Sequence, residues 1–196
     1  MKTALITGTT GALGSVVADV FEKAGWHVIR HKRGEPVPQE PIHALLNIAG
    51  GFDMGPMVYE TEEALFDGLM DMNAKTVLRM AQAVVPGMIA QGHGKIINVA
   101  AMPGLKGTAG MGAYAASKSA VIRLTEAMSA ELRTKGINVN CVLPSIIDSP
   151  ANRASMSKAD PTKWVRPEAL ADVMLFLASD GAQAVHGAAI PVVGLS

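Results

Sequence analysis

Residues 2–14 read KTALITGTTGALG. The first six form a short apolar, strand-like run that stops at Gly8, and residues 12–24 then show the apolar spacing of a helix. Glycines in the intervening turn permit a tight bend and close backbone approach, while free N–H groups at the start of the helix favour a phosphate. A second apolar run follows at residues 26–30, so this strand, turn and helix together predict a dinucleotide-binding turn.

Strand-like and helical stretches alternate along the rest of the chain. Strands are predicted at residues 2–7, 26–30, 42–49, 95–100, 137–143 and 188–193, and helices at 12–24, 61–91, 111–135 and 167–179. In the long stretch at 61–91, Thr61 is a candidate N-cap and Pro86 marks a kink or break. The alternation predicts one α/β domain over residues 1–196, with a Rossmann-type doubly wound parallel sheet that binds its ligand at the carboxyl ends of the strands.

Composition narrows the classes of function. Seventeen Lys and Arg balance 17 Asp and Glu, so the chain lacks the basic excess typical of a nucleic-acid or membrane-surface partner. No apolar run approaches the roughly 18 residues of a membrane span, and the run after Met1 ends too early for a signal peptide. The lone Cys141 is interpreted as a buried strand residue, and a reducing, cytoplasmic location is expected. A small-molecule pocket is therefore predicted.

Tyr114 and Lys118 lie four residues apart in a predicted helix, which places a phenol and an ammonium on one face. An ammonium beside a phenol favours the phenolate, so the pattern predicts a lowered Tyr114 pKa and proton exchange with a substrate near neutral pH. The alternative is a surface pair on an ordinary helix, because the pattern is short. Asn73 lies in mid-helix, where a structural polar contact and a relay role are both open.

A basic cluster follows the second predicted strand. A dinucleotide site often has an acid here that binds the ribose 2′-hydroxyl. This chain instead has Arg30, His31, Lys32 and Arg33, which favour a 2′-phosphate and therefore NADP, with NAD still possible. The alternative is a solvated basic loop.

Six features together resemble the short-chain dehydrogenase/reductase family. They are TGTTGALG at 7–14, NIAG at 47–50, Asn73, IINVAA at 96–101, YAASK at 114–118 and NVNCVLP at 138–144. The resemblance implies that Tyr114 donates or accepts a proton, that Lys118 lowers its pKa and holds the nicotinamide ribose, and that Asn73 belongs to a water relay. The cofactor contacts that it implies come from Gly8, Thr10, Gly11, Leu13, Asn47, Ala49, Gly50, Tyr114, Lys118 and Pro144, with no metal. It also implies a homodimer or homotetramer built through residues 61–91 and 111–135.

One position departs from the pattern of the family. The serine that normally lies thirteen residues before the tyrosine is Ala101 here, and a missing donor of this kind costs about 100- to 1000-fold in carbonyl chemistry. A narrower resemblance, carried by AGG at 49–51, GMGAY at 110–114 and residues 142–160, is to the quinonoid dihydropteridine reductases. Those enzymes reduce an electron-poor ring without the serine.

The narrower resemblance also implies a loop over the substrate, to which Asp148, Asn152, Arg153 and Met156 belong. The alternative is a surface loop with no part in substrate binding. A second departure is the connection before the NIAG strand, which has only some ten residues, three of them prolines. It is too short for the strand and helices found there in the family, so we expect a shortened sheet with a more open adenine side.

Three functional hypotheses follow from the sequence. The first is an NAD(P)H-dependent reductase of a dihydropteridine-like or other electron-poor ring, with Tyr114 as the proton donor. The second is a reductase of small carbonyl compounds. The third is an NADP-binding sensor or scaffold with little turnover, which Ala101 favours and which the retention of Tyr114, Lys118 and Asn73 disfavours.

Overall fold

Six parallel strands form one sheet in the computed structural model, which describes residues 1–196. The strands are β1 (Thr3–Thr7), β2 (His27–His31), β3 (Ala44–Asn47), β4 (Gly94–Val99), β5 (Ile137–Pro144) and β6 (Ala189–Val192). Their order across the sheet is β2-β1-β3-β4-β5-β6. Strand β2 lies on one side of β1, and β3 and the later strands lie on the other side, so the strand order switches between β1 and β3. Open parallel sheets bind ligands in the crevice at such a switch point.

Helices cover both faces of the sheet. They are α1 (Ala12–Lys23), α2 (Glu63–Met70), α3 (Thr76–Gln91), α4 (Gly112–Leu132), α5 (Pro150–Ser155) and α6 (Pro167–Ala178). Alternate strand residues point to opposite faces. Thus Ile6 packs in one core with α1 and α6, whereas Leu5 packs in a second core with α3. The predicted doubly wound α/β fold is confirmed. None of the helices combines the length and apolar character needed to cross a membrane.

The connection from β2 to β3 contains no helix. It spans residues 32–43, which is about the minimum length for joining two parallel strands. Val37 from this connection packs against the same core as Ile29 of β2, so an extended segment covers the surface there. Strand β2 pairs with β1 alone and forms the edge of the sheet. The predicted shortening before the NIAG strand is confirmed.

The long helical stretch at 61–91 differs in detail from its prediction. A π-helical turn at Asp71–Lys75 separates α2 from α3, and α3 continues through Pro86. Of the two effects predicted for Pro86, the break is therefore wrong and the kink stays a prediction. The helix tolerates the proline because Pro86 is exposed, which leaves the freed carbonyl accessible to water. The predicted N-cap is also wrong. Glu62 is the N-cap of α2, and the Thr61 hydroxyl donates to Met57 O instead.

Candidate active site

The turn between β1 and α1 is open to a ligand at backbone level. Gly8 has φ +73°, in the left-handed region, and a Cβ atom there would lie 2.7 Å from Ala49 N. A Cβ atom at Gly14 would overlap Gly8 O. Helix α1 is capped by Gly11 without any side-chain hydrogen bond, so the N–H groups of its first turn remain available to an anion. These features fit the pyrophosphate of a dinucleotide.

Buried polar side chains hold the ends of the neighbouring strands against this turn. The Thr7 hydroxyl accepts hydrogen bonds from Ile48 N and Ala49 N, both at 3.1 Å. Asn47 is buried, and its amide donates to Asn98 Oδ1 at 2.9 Å. The Asn47 side chain thus ties β3 to β4, and it fixes the strand end from which Ala49 and Gly50 extend.

Asn73 clamps the segment that follows β3. Its Oδ1 accepts from Gly51 N at 3.0 Å, and its Nδ2 donates to Gly51 O at 3.1 Å. The same Nδ2 donates to Ser117 Oγ at 2.9 Å. Asn73 lies in the π-helical turn, and such turns are frequent at functional sites. The structure places Asn73 in a structural polar contact.

Lys118 and Tyr114 project from α4 beside this clamp. Lys118 is buried, and its Nζ donates to Val99 O at the end of β4 at 3.0 Å. Its ammonium lies 5.9 Å from the centroid of the Tyr114 ring. Gly50 lies beside both Lys118 and Asn73. A Cβ atom on Gly50 would lie 3.3 Å from Lys118 Nζ and 2.5 Å from Asn73 Oδ1. The predicted catalytic residues are therefore neighbours at the carboxyl edge of the sheet.

Burial controls the protonation of the Tyr114 and Lys118 pair. Desolvation raises the pKa of Tyr114 to about 12 and lowers the pKa of Lys118 to about 8, because each charged form loses its hydration. The predicted lowering of the Tyr114 pKa by the lysine is therefore wrong, because burial raises this pKa. The Lys118 ammonium donates its hydrogen bond to Val99 O. At neutral pH the phenol keeps its proton.

The basic cluster after β2 divides into paired and exposed groups. Arg30 points back to α1, where its guanidinium pairs with Asp19 at 2.7 Å and Glu22 at 3.1 Å. Thr7 and His31 are register partners, so Lys32 and Arg33 follow at the same edge of the sheet as Gly8. Both of these side chains are exposed, and they are the free cations at the position expected for a 2′-phosphate.

Ala101 and the segment after β5 lie in the region where the sequence predicts the substrate. Ala101 is buried two residues after the end of β4, where it caps a short 3₁₀ turn. Pro144 ends β5, and the following segment contains α5. Two hydrogen bonds of 2.6 and 2.8 Å join Arg153 to the Asp148 carboxylate, and Asn152 Nδ2 donates to Ile147 O. These contacts hold the segment together, and Met156 is half-buried beside them.

Two residues beside the predicted site carry contacts that the sequence alone did not reveal. Ser117 is buried and donates to Tyr114 O at 2.8 Å, so it joins the Asn73 clamp to the tyrosine. Phe52 contacts the Tyr114 ring with centroids 4.9 Å apart and an interplanar angle of 82°. An apolar aromatic directly after the Gly50 and Gly51 pair was the only signal for Phe52. The structure has no cluster of His, Cys, Asp or Glu that could hold a metal ion.

The fold and site define a dinucleotide-binding α/β protein with a tyrosine and lysine pair at the carboxyl edge of its sheet. Residues 37–160 match the family described as short chain dehydrogenase. Because this match covers more than half of the sequence, the chain belongs to the short-chain dehydrogenases, a family of oxidoreductases. Membership of the family is thus confirmed, whereas the narrower resemblance to dihydropteridine reductases stays a prediction.

Individual relatives agree with this assignment. The chain is 35% identical to the 3-oxoacyl-[acyl-carrier-protein] reductase FabG of Thermotoga maritima over 161 residues, which cover 78% of this chain and 65% of that protein. It is 27% identical to the Rickettsia felis protein of the same name, with 98% of this chain and 95% of that protein covered. An actinorhodin polyketide ketoreductase variant crystallised with NADPH superimposes with a TM-score of 0.87 at 25% identity, over 98% of this chain and 96% of the other.

Proposed function

We propose that this protein is an NADPH-dependent reductase that acts on a dihydropteridine-like or other electron-poor ring. Ala101 is the observation that carries the proposal. The protein has the tyrosine and lysine of a reductase, but it has a buried methyl group where a ketone substrate would require a hydrogen-bond donor. An electron-poor ring accepts a hydride without that donor, so the remaining residues suffice.

The cofactor proposal rests on the glycine turn and the free cations next to it. Gly8, Thr10, Gly11 and Leu13 would surround the pyrophosphate at the start of α1, and Ala49, Gly50 and Pro144 would line the nicotinamide side. Lys32 and Arg33 would bind a 2′-phosphate. Arg30 would first have to leave two carboxylates, so we assign it a supporting role. NADPH supplies the hydride when it is bound.

Tyr114 would deliver the proton that completes the reduction. Reduction adds one hydride and one proton to the ring, and the phenol is protonated at neutral pH because burial raises its pKa to about 12. The Lys118 ammonium would stabilise the phenolate left behind and hold the nicotinamide ribose. Asn73 and Ser117 would fix the positions of both groups through the contacts to Gly51 and Tyr114 O, with a water relay behind the lysine.

A second candidate is the reduction of small carbonyl compounds. The names of the relatives favour it, since both FabG proteins and the polyketide ketoreductase are named for keto-group reduction. If this chemistry is latent in the site, Ala101→Ser should raise ketone reduction about 100-fold or more by restoring the donor. No gain in the Ala101→Ser variant would count against the carbonyl candidate.

The deciding experiment measures NADPH consumption with a quinonoid dihydropterin against a panel of ketones. We expect turnover with the pterin, and we expect Tyr114→Phe to reduce kcat by about 100- to 10,000-fold through loss of the proton donor. Because Tyr114 is also an expected cofactor contact, NADPH affinity is measured by calorimetry, and it should fall far less than kcat in this variant. Tight NADPH binding without consumption by any acceptor would contradict the proposal and establish a sensor or scaffold.

A further inference from the structure

Phe52 lies directly beside the proposed proton donor, yet most of its surface is exposed. Its ring is perpendicular to that of Tyr114, with centroids 4.9 Å apart, and 61% of the residue is accessible to solvent. We propose that Phe52 is a specificity-determining residue that stacks on a flat, uncharged aromatic or heteroaromatic ring and holds it in front of Tyr114. This inference rests on the proposed reductase function and adds the residue that recognises the ring.

Backbone contacts on both sides fix the position of Phe52. The preceding residue, Gly51, is held by two hydrogen bonds to the Asn73 side chain. Three residues later, Gly55 N donates to Gly110 O at 3.0 Å, which fastens the 51–60 loop to the segment before α4. Phe52 is therefore attached to the same framework that positions Tyr114, and an attachment of this kind suits a residue that orients a substrate.

The 51–60 loop, which contains Phe52, leaves further apolar side chains largely exposed. In the 51–60 loop, Met54 and Met57 are 59% and 45% exposed, and Val58 and Tyr59 are 74% and 85% exposed. Clustered exposed apolar side chains of this kind mark binding sites more often than inert surface. The 51–60 loop contains two acidic residues, Asp53 and Glu60, and no basic one. The surface therefore favours an uncharged ligand over an anionic one.

The geometry of the aromatic pair favours a ring over a flexible chain. Aromatic groups prefer offset-stacked or perpendicular arrangements with centroids about 4.5–7 Å apart, and such pairs contribute beyond the area they bury. Phe52 already uses one such contact with Tyr114, and a ring stacked on its exposed surface would have an edge next to the phenol. An aliphatic acyl chain would gain only the buried area.

The test compares three variants on two kinds of substrate. Phe52→Leu keeps an apolar side chain but removes the ring, Phe52→Trp keeps a ring, and Phe176→Leu removes an exposed aromatic on α6, outside the proposed site. The KM and kcat of each are measured with a quinonoid dihydropterin and with acyclic ethyl acetoacetate. We expect Phe52→Leu to raise KM for the pterin about 2- to 10-fold more than for the ester, as expected for one aromatic pair. Phe52→Trp and Phe176→Leu should keep the native ratio.

A binding measurement separates failure of this inference from failure of the proposed function. Calorimetry with a fully oxidised pterin in the presence of NADP requires no turnover, and Phe52→Leu should weaken that binding by the same factor. If the native protein binds the pterin but turns over no substrate, the reductase proposal fails while the role of Phe52 stands. Equal effects of Phe52→Leu on ring and acyclic ligands would overturn the inference. So would a change in oligomeric state without a change in pterin affinity, which would make the 51–60 loop an interface between copies.

Discussion

Lys118 places an ammonium group in a buried position, where its only hydrogen-bond acceptor from the chain is Val99 O. Burial lowers its pKa to about 8 from the ordinary value of 10.5. Below pH 8 the folded protein therefore holds a charge that water would solvate better, and this destabilises the fold. This cost in stability is what we expect if Lys118 has the proposed role in the chemistry of the site.

Replacing Lys118 with methionine should therefore stabilise the protein at pH 7 and abolish turnover. The expected gain in the free energy of unfolding is up to about 3 kcal/mol, reduced by the stabilisation that is lost with the hydrogen bond to Val99 O. The sign follows from proton binding. Between about pH 8 and 10.5 the unfolded chain binds more protons at this position than the folded chain, so native stability rises with pH there. Urea unfolding at pH 7 and pH 10 should show a smaller advantage of Lys118→Met at pH 10. An advantage that does not depend on pH would contradict the buried charge.

Gly50 is a second residue at which the addition of one carbon atom would disturb the site. A methyl group there would lie 2.5 Å from Asn73 Oδ1 and 3.3 Å from Lys118 Nζ, so Gly50→Ala must displace both polar groups. We expect turnover to fall at least about 10-fold, with a loss of stability of about 1–3 kcal/mol from overpacking. Gly55→Ala is the matched control, since a methyl group there meets nothing within 4 Å. Steady-state kinetics with urea unfolding measures both effects, and equal behaviour of the two variants would contradict the assigned geometry.

At the scale of elements, the sequence predicts well those features that depend on local periodicity. Apolar runs such as residues 2–7 and 137–143 became β1 and β5 because both faces of a central parallel strand are buried. The short connection before β3 was also visible, since its prolines and length leave no room for a helix. The glycine turn, Gly50 and Gly51, Ala100 and Ala101, and Pro144 could all be placed at one edge of the sheet from this pattern.

The features that the sequence could not predict depend on contacts between distant residues. The π-helical turn that directs Asn73 to Gly51 has no signal in the local period. The pairing of Arg30 with α1 depends on the α1 face that meets β2. The raised pKa of Tyr114 depends on burial, which becomes known only when the helices have packed. Charge and spacing alone gave the wrong direction for this pKa.

The free cations after β2 give a prediction for the β1–α1–β2 unit. Changing Lys32 and Arg33 together to alanine should weaken NADPH binding by about 10- to 100-fold while changing NADH affinity less than about threefold, because only NADPH carries the 2′-phosphate. The matched control is the Arg133→Ala, Lys135→Ala double variant, which removes two exposed charges near the amino ends of the strands. Calorimetric titration with each cofactor measures both affinities. Equal losses of affinity for NADPH and NADH would contradict the proposal that Lys32 and Arg33 bind the 2′-phosphate.

At the scale of the whole molecule, the chain is a shortened version of its relatives. Its alignment with the Rickettsia felis protein runs over 230 positions, whereas this chain has 196 residues, so at least 34 positions of that relative have no counterpart here. The structure places a helix-free connection between β2 and β3 and leaves β2 as the edge strand. The Asn73, Tyr114 and Lys118 site lies on β3, β4 and the helices beyond them. The short connection thus lies on the β2 side of the sheet, where we expect the adenine, and away from the residues of the proposed chemistry.

The helices opposite α1 and α6 carry exposed apolar side chains, and this gives a prediction about assembly. Phe66 on α2 is 41% exposed, and Leu78 and Ile89 on α3 are 46% and 40% exposed. We propose that this surface is the centre of a homodimer or homotetramer interface that includes α4. Leu78→Glu should convert the oligomer to a monomer, because it buries an unpaired carboxylate at the interface. Ala90→Glu, at an exposed position farther around α3, should leave the assembly intact. Sedimentation velocity distinguishes the two variants, and a native chain that sediments as a monomer at all concentrations would show that these side chains face solvent.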